Sequence, residues 1–273
     1  MKTYPIILTG ILAIMTTAAY AQTQDVELVK WQQGPSIGNL SDTAQVHIPA
    51  GYIFAGANDT RILMKAMQNP TSGREMGFIA PVGIEWFVVF EFDDIGYVRD
   101  DEKSSLDPEA MLESIKKGTE ASNKERTKNG WPTMTIIGWE QKPEYNETTH
   151  NLEWAIIGQS QGKDIINYNT RILGRGGVMR VTLVTDPTML SPTLPKFKNV
   201  LAGYEFKKGR KYAEFRQGDK MAKYGLTALV VGGATAVAMK SGMFKWIWKG
   251  LLFGFLAIVG FIKKLFSRNN HQG

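Results

Sequence analysis

The sequence predicts an α+β fold: a mainly antiparallel sheet with two or three packed helices, followed by C-terminal transmembrane helices. Three observations lead there. From Pro132 onward, short runs of alternating apolar and polar residues follow one another, joined by turns too short for a parallel crossover. Stretches with helix caps and helical spacing interrupt the series without alternating regularly with it. Two apolar runs, 226–239 and 250–262, lie next to each other near the end, as a membrane anchor would.

Residues 1–21 open with Lys2, continue as an apolar run and end in Ala19-Tyr-Ala21, the small-x-small pattern of a secretory signal peptide. Residues 22–206 are then an extracytoplasmic α+β domain. Within it, 44–48 reads as a short strand ended by Pro49-Ala-Gly51. Asn58-Asp-Thr60 offers a helix N-cap before 62–67, and 77–81 is a brief extended piece. Residues 86–92 are the clearest strand, with Trp86, Val88, Phe90 and Phe92 on one face and the other face leaving the core toward Asp93.

An acidic loop, 94–102, precedes a long helix that starts with Asp107 at the N-cap and Pro108 at N1 and stops at Asn129-Gly130. Strands follow at 134–140, 152–157, 165–173 and 178–185. Gly174-Arg-Gly-Gly177 supplies positive-φ positions for a tight hairpin between the last two. A proline-broken helical piece runs to about Ala202, and Tyr204 and Phe206 close the domain. The helices are expected on one face of the sheet.

Charge divides the chain. Residues 25–205 carry a net −6, whereas 206–273 carry +11, from 13 Lys/Arg against Glu214 and Asp219. The basic charge thus belongs to the end of the chain. That is the footprint of a lipid bilayer with anionic headgroups rather than of nucleic acid. Residues 207–223 form a basic juxtamembrane segment, 224–266 a membrane anchor of two apolar helices, and 267–273 a polar tail. Gly250 and Gly254, and Ala228, Gly232 and Ala236, recur at the four-residue spacing that lets helices pack closely, within a hairpin or between copies. Two membrane helices are the expected arrangement. A single crossing by 246–262 suits the charges better, because two crossings place Lys263, Lys264 and Arg268 outside.

Several segments carry a family resemblance: Ile48-Pro-Ala-Gly-Tyr-Ile-Phe54, Asp94-Ile-Gly-Tyr-Val-Arg-Asp-Asp101, Ala121-Ser-Asn-Lys-Glu-Arg126, Thr149-His-Asn-Leu-Glu-Trp154, Asn167-Tyr-Asn-Thr-Arg-Ile-Leu-Gly-Arg175 and Gly209-Arg-Lys-Tyr-Ala-Glu-Phe215. On these the chain resembles a bacterial family of uncharacterised membrane-anchored proteins, a domain-of-unknown-function family. The resemblance implies a cell-envelope protein at the cytoplasmic membrane with its main domain in the periplasm, and implies no reaction. At fold level the chain is similar to sheet-and-helix adaptors of the photosystem-accessory and nuclear-transport-accessory type.

Chemistry-bearing residues are few. With no cysteine, thiolate nucleophiles, disulfides and cysteine metal sites are excluded. His47, His150 and His271 fall into no catalytic spacing, and no cofactor is implied. Asp94, Asp100, Asp101 and Glu102 could offer hard oxygen ligands to a divalent metal. Asn167, Asn169 and Arg171 share the outward face of one strand, where an arginine flanked by amides could grip a carboxylate or phosphate, with Asn123 and Arg126 of the long helix meeting that face. The expected function is a non-enzymatic ligand- or protein-binding module of the envelope, with an envelope protein or a second copy as possible partner. The alternatives are a metal-assisted hydrolase using the acidic loop and an accessory subunit of an envelope transport complex.

Overall fold

The computed structural model describes residues 28–232. Residues 1–21, expected as a signal peptide, and most of the apolar and basic end, including Ala236, Gly250 and Gly254, lie outside the described residues. Among the described residues no helix is long and apolar enough to cross a membrane.

The elements in chain order are β1 (Gln32–Gln33), β2 (Ser36–Leu40), β3 (Ala44–Ile48), β4 (Tyr52–Gly56), α1 (Ala57–Ala66), β5 (Glu75–Pro81), β6 (Phe87–Asp93), α2 (Pro108–Lys128) and β7 (Thr135–Asn146). They continue with β8 (Asn151–Ser160), β9 (Lys163–Leu173), β10 (Val178–Thr185), α3 (Leu190–Ala202), β11 (Tyr204–Phe206) and α4 (Leu226–Val231). An eight-stranded sheet in the order β1-β4-β5-β6-β10-β9-β8-β7 is antiparallel at every pairing, and β11-β3-β2 form a second, three-stranded sheet. The α+β class with a mainly antiparallel sheet is therefore present.

Alternation assigns the faces. On the inner face Val88, Phe90, Tyr168, Val181 and Leu183 meet Leu40, Val46, Ile48 and Phe206 of the small sheet and Phe197 and Val200 of α3. On the outer face Phe78, Phe87, Val89 and Val184 meet Leu63 and Met64 of α1. Farther along that face, Leu152, Trp154 and Ile156 of β8 meet Met111 and Ile115 of α2 and Leu226 and Leu229 of α4. Helices therefore lie on both faces, not one. The strand β6 is buried throughout except at Asp93, because α1 covers the face that the sequence pattern leaves open.

Local signals act as written at α2, where Asp107 accepts from the amides of Glu109 and Ala110 and Pro108 occupies the first turn. At α1 the helix starts before the expected cap. Gly56 is the N-cap, and Thr60 donates back to the Gly56 carbonyl at 2.8 Å. Strand β7 continues past Pro143, which an edge strand tolerates because a proline there forfeits no sheet bond on its open side. The β9–β10 turn closes with Gly174 N–H donating to Gly177 O at 2.8 Å. Its glycines do not serve positive φ. A Cβ on Gly177 would lie 2.1 Å from the Asp93 carbonyl oxygen, and one on Gly174 would lie 2.7 Å from the Phe206 ring, so close approach is what requires them.

Candidate ligand-binding site

The polar centre of the outer face lies between the cluster under α1 and the cluster under α2 and α4. Cross-strand register builds it as a row. Glu75 of β5 faces Glu91 of β6, Glu91 faces Arg180 of β10, and Arg180 faces Arg171 of β9. One step along, Thr182 faces Asn169, which faces Trp154 of β8. Asn167, Asn169 and Arg171 thus do share one face, as period-two alternation requires. That face is interior: the three residues are 4%, 8% and 3% exposed, and Glu75, Glu91 and Arg180 are buried beside them. The expectation of a solvent-facing row is corrected, since the sheet is covered on both sides.

The charges in this row are unequally satisfied. Ser72 holds the acidic end, its amide donating to Glu75 at 2.5 Å and its hydroxyl to Glu91 at 2.7 Å. Arg74 pairs with Asp93 at 2.6 Å. The Arg180 guanidinium lies 3.8 Å from both Glu91 and Asp93. Arg171 has no carboxylate contact among the described residues. Its hydrogen bonds are long, to the Thr170 carbonyl at 3.4 Å and to Asn169 Oδ1 at 3.5 Å. Its charge sits 4.5 Å from the centroid of the Trp154 ring, in cation–π geometry. Burial, and then the like charge of Arg180, pushes the Arg171 guanidinium well below its ordinary value. Asn167 Oδ1, Trp154 Nε1 and Glu75 Oε2 are buried with no hydrogen-bond partner among the described residues.

Asn123 and Arg126 are not part of this row. Asn123 exchanges two hydrogen bonds with the Met134 backbone, at 2.7 and 2.9 Å, and Arg126 Nε donates to the Pro132 carbonyl at 2.5 Å. Asn123 and the Arg126 Nε are thus committed to the α2–β7 connection, while the Arg126 guanidinium lies over the Trp131 ring with Nη1 buried and without a hydrogen-bond partner among the described residues.

The four carboxylates of the acidic loop do not converge. Asp94 lies 3.7 Å from Lys220, Asp100 accepts from the Tyr145 hydroxyl at 3.0 Å, Asp101 is exposed near Arg99, and Glu102 accepts from the Thr227 amide at 2.9 Å. Each has a different partner because the loop wraps a protein surface instead of closing on itself. Among the described residues no group of three His, Asp or Glu side chains is arranged to hold a metal.

Residues 207–225 are not a free connector. They form a strap across the β9–β10 hairpin and the acidic loop. Tyr212 stacks on Tyr97 at 4.4 Å and meets the His150 ring at a tilt at 4.6 Å, and Phe215 lies 4.2 Å from Tyr97. Asp219 pairs with Arg175 through two bonds of 2.7 and 2.8 Å. Four of the segments quoted for the family resemblance meet here: those containing Tyr97, His150, Arg175 and Tyr212. A cleft of about 210 Å³ beside them is lined by Asp94, Arg175, Arg210, Asp219 and Lys220, with most of its charges already paired.

A family model described as protein of unknown function (DUF2167) matches residues 32–263, and the chain belongs to that family. No curated protein matches the sequence. Among solved structures, the chain is similar to cyanobacterial PsbP (CyanoP) from Synechocystis sp. PCC 6803, with 10% identity and a TM-score of 0.38, over 65% of this chain and 92% of that one. It is also similar to the protein of unknown function PA94 from Pseudomonas aeruginosa, described as a putative regulator, with 16% identity and a TM-score of 0.25, over 61% of this chain and 92% of that one.

Proposed function

We propose that this member of the DUF2167 family is a non-enzymatic ligand-binding module of the bacterial cell envelope. Residues 1–21 export it, the C-terminal apolar segment holds it at the cytoplasmic membrane, and its α+β domain stands in the periplasm. The observation that carries the binding reading is Arg171. A guanidinium buried without a carboxylate is costly, by several kcal/mol, unless something completes it. A carboxylate or phosphate group set against Arg171 supplies the missing acceptors, relieves the repulsion from Arg180, and finds donors in Trp154 Nε1–H and the neighbouring amides. Binding without chemical change suits a site whose carboxylates, Glu75, Glu91 and Asp93, are engaged by Ser72, Arg74 and Arg180.

We infer one membrane crossing in place of the expected two. Residues 226–231 belong to the domain, with Leu226 at 0% and Val230 at 2% exposure in the cluster of α2 and β8. What is left of that run, 232–239, would make only about 12 Å of helix, against a hydrocarbon core of about 30 Å. A single crossing by 246–262, about 25 Å of helix, puts Lys263, Lys264 and Arg268 on the cytoplasmic side, in line with the positive-inside tendency.

Calorimetric titration of the detergent-solubilised full chain with inorganic phosphate and with succinate tests the binding reading. Saturable heat from at least one ligand in the wild type, lost in Arg171→Met, is the expected outcome. Absence of heat from both, or equal heat in the variant, contradicts it.

A further inference from the structure

Two exposed apolar side chains interrupt the strap, Phe215 and Met221, each 38% exposed. Both are neighbours of Tyr97, Phe215 through its ring and Met221 through a backbone bridge, so they flank one spot on the surface. Cations surround them in sequence. Lys208, Lys211, Arg216 and Lys223 are exposed, and none of their side-chain charges forms an ion pair with a carboxylate among the described residues. The strap's two acids are committed, Glu214 accepting from the Lys211 amide and Asp219 paired with Arg175. The strap itself, residues 207–223, therefore carries seven cations against two acids around an apolar pair on an ordered support, with the exposed Asp94 and Asp101 of the loop beneath it set against Lys220 and Arg99.

We propose that this strap face is a docking surface for an anionic lipid bilayer, with Phe215 and Met221 entering the headgroup boundary and Lys208, Lys211, Arg216 and Lys223 set on lipid phosphates. The inference rests on the membrane reading above and deepens it. Instead of swinging on a linker, the domain lies against the membrane in one orientation. Charge complementarity argues for lipid, since each such cation near an anionic surface strengthens binding about fivefold. Continuity argues for it too: the same chain runs from the strap through α4 toward the apolar residues 246–262. Apolar side chains among lysines and arginines are what such interfaces use.

The chain has no cysteine, so single cysteines can be labelled without background. Full chain carrying Met221→Cys with an environment-sensitive fluorophore is reconstituted into vesicles of phosphatidylcholine with 30% phosphatidylglycerol, and into phosphatidylcholine alone. Ile37→Cys, on the small sheet, is the exposed control. In the anionic vesicles the probe at 221 is expected to shift to the blue and to be shielded from aqueous iodide, whereas the probe at 37 stays open. Neutral vesicles, or the triple variant Lys208→Gln, Lys211→Gln, Lys223→Gln, remove the shielding, by roughly a hundredfold in the docked-to-free ratio. An unchanged circular dichroism spectrum shows that the triple variant is folded. A probe at 221 as open to iodide as that at 37, in protein that resists an alkaline wash, overturns the docking surface and leaves the anchor standing. Protein released by that wash overturns the anchor instead. In that case flotation with the anionic vesicles before the wash supports the docking surface, and its absence overturns it.

Discussion

Arg171→Met removes a charge and keeps most of the side-chain volume. Because the wild-type guanidinium has no carboxylate partner, the substitution leaves no opposite charge stranded. Its unfolding free energy in the absence of ligand is expected to be unchanged or about 1–2 kcal/mol higher, by urea denaturation. Arg180→Met is the contrast. It strips Glu91 and Asp93 of a shared cation inside the sheet, and a loss of about 3 kcal/mol is expected in the same experiment. At Gly177 an added methyl meets the Asp93 carbonyl, so Gly177→Ala is expected to cost about 1–3 kcal/mol although the backbone angle is permissive. Residue types alone carried part of this. Alternation put Asn167, Asn169 and Arg171 on one face. It could not show that Glu75, Glu91 and Arg180 lie beside them, because that depends on the register of three further strands. Polar residues at alternate positions ordinarily mark a wet face, so the burial of this one was hidden from the sequence.

Strands β3 and β6–β10, α2 and the place of the hairpin followed from periodicity, caps and turn residues, whose causes are local, whereas β1, β2 and β4 carry too little alternation to be read as strands. The strap did not, because its lysines, glycines and scattered aromatic residues follow no helix or strand period, and its order comes from distant partners. Asp219 gives that order a pH signature. The Arg175 hydrogen bonds, then the Arg216 amide, hold its carboxyl at about 2, below the ordinary 3.8. A carboxyl lowered in the folded state stabilises the fold above its unfolded pKa, and that contribution is lost as pH falls through the folded value. The strap is therefore expected to loosen between about pH 4 and 2, read by a fluorophore on the strap. Asp219→Asn is expected to abolish that step. The α4 helix makes a parallel point, since its residues read as the start of a membrane segment and the fold uses them as core. Leu226→Ala is expected to lower domain stability by about 2–3 kcal/mol, where a residue in lipid would leave domain unfolding unaffected.

At the scale of the whole molecule, an acidic domain, an ordered basic strap and an apolar end follow one another along the chain. A single crossing predicts that alkaline phosphatase fused after residue 273 is inactive and that the same enzyme fused after residue 232 is active. Activity at both positions would restore the two-helix arrangement. The domain's centre is the polar row of the sheet, and an anion bound there is what the proposed arrangement would hold at the membrane surface. The most direct test is urea unfolding of wild type and Arg171→Met, each with and without saturating inorganic phosphate or succinate. The account predicts that at least one of the two anions raises the wild-type midpoint and leaves the variant's unmoved, while the ligand-free variant is at least as stable as wild type. A variant destabilised by about 3 kcal/mol, with neither midpoint responding to either anion, would make Arg171 a structural residue and contradict the account.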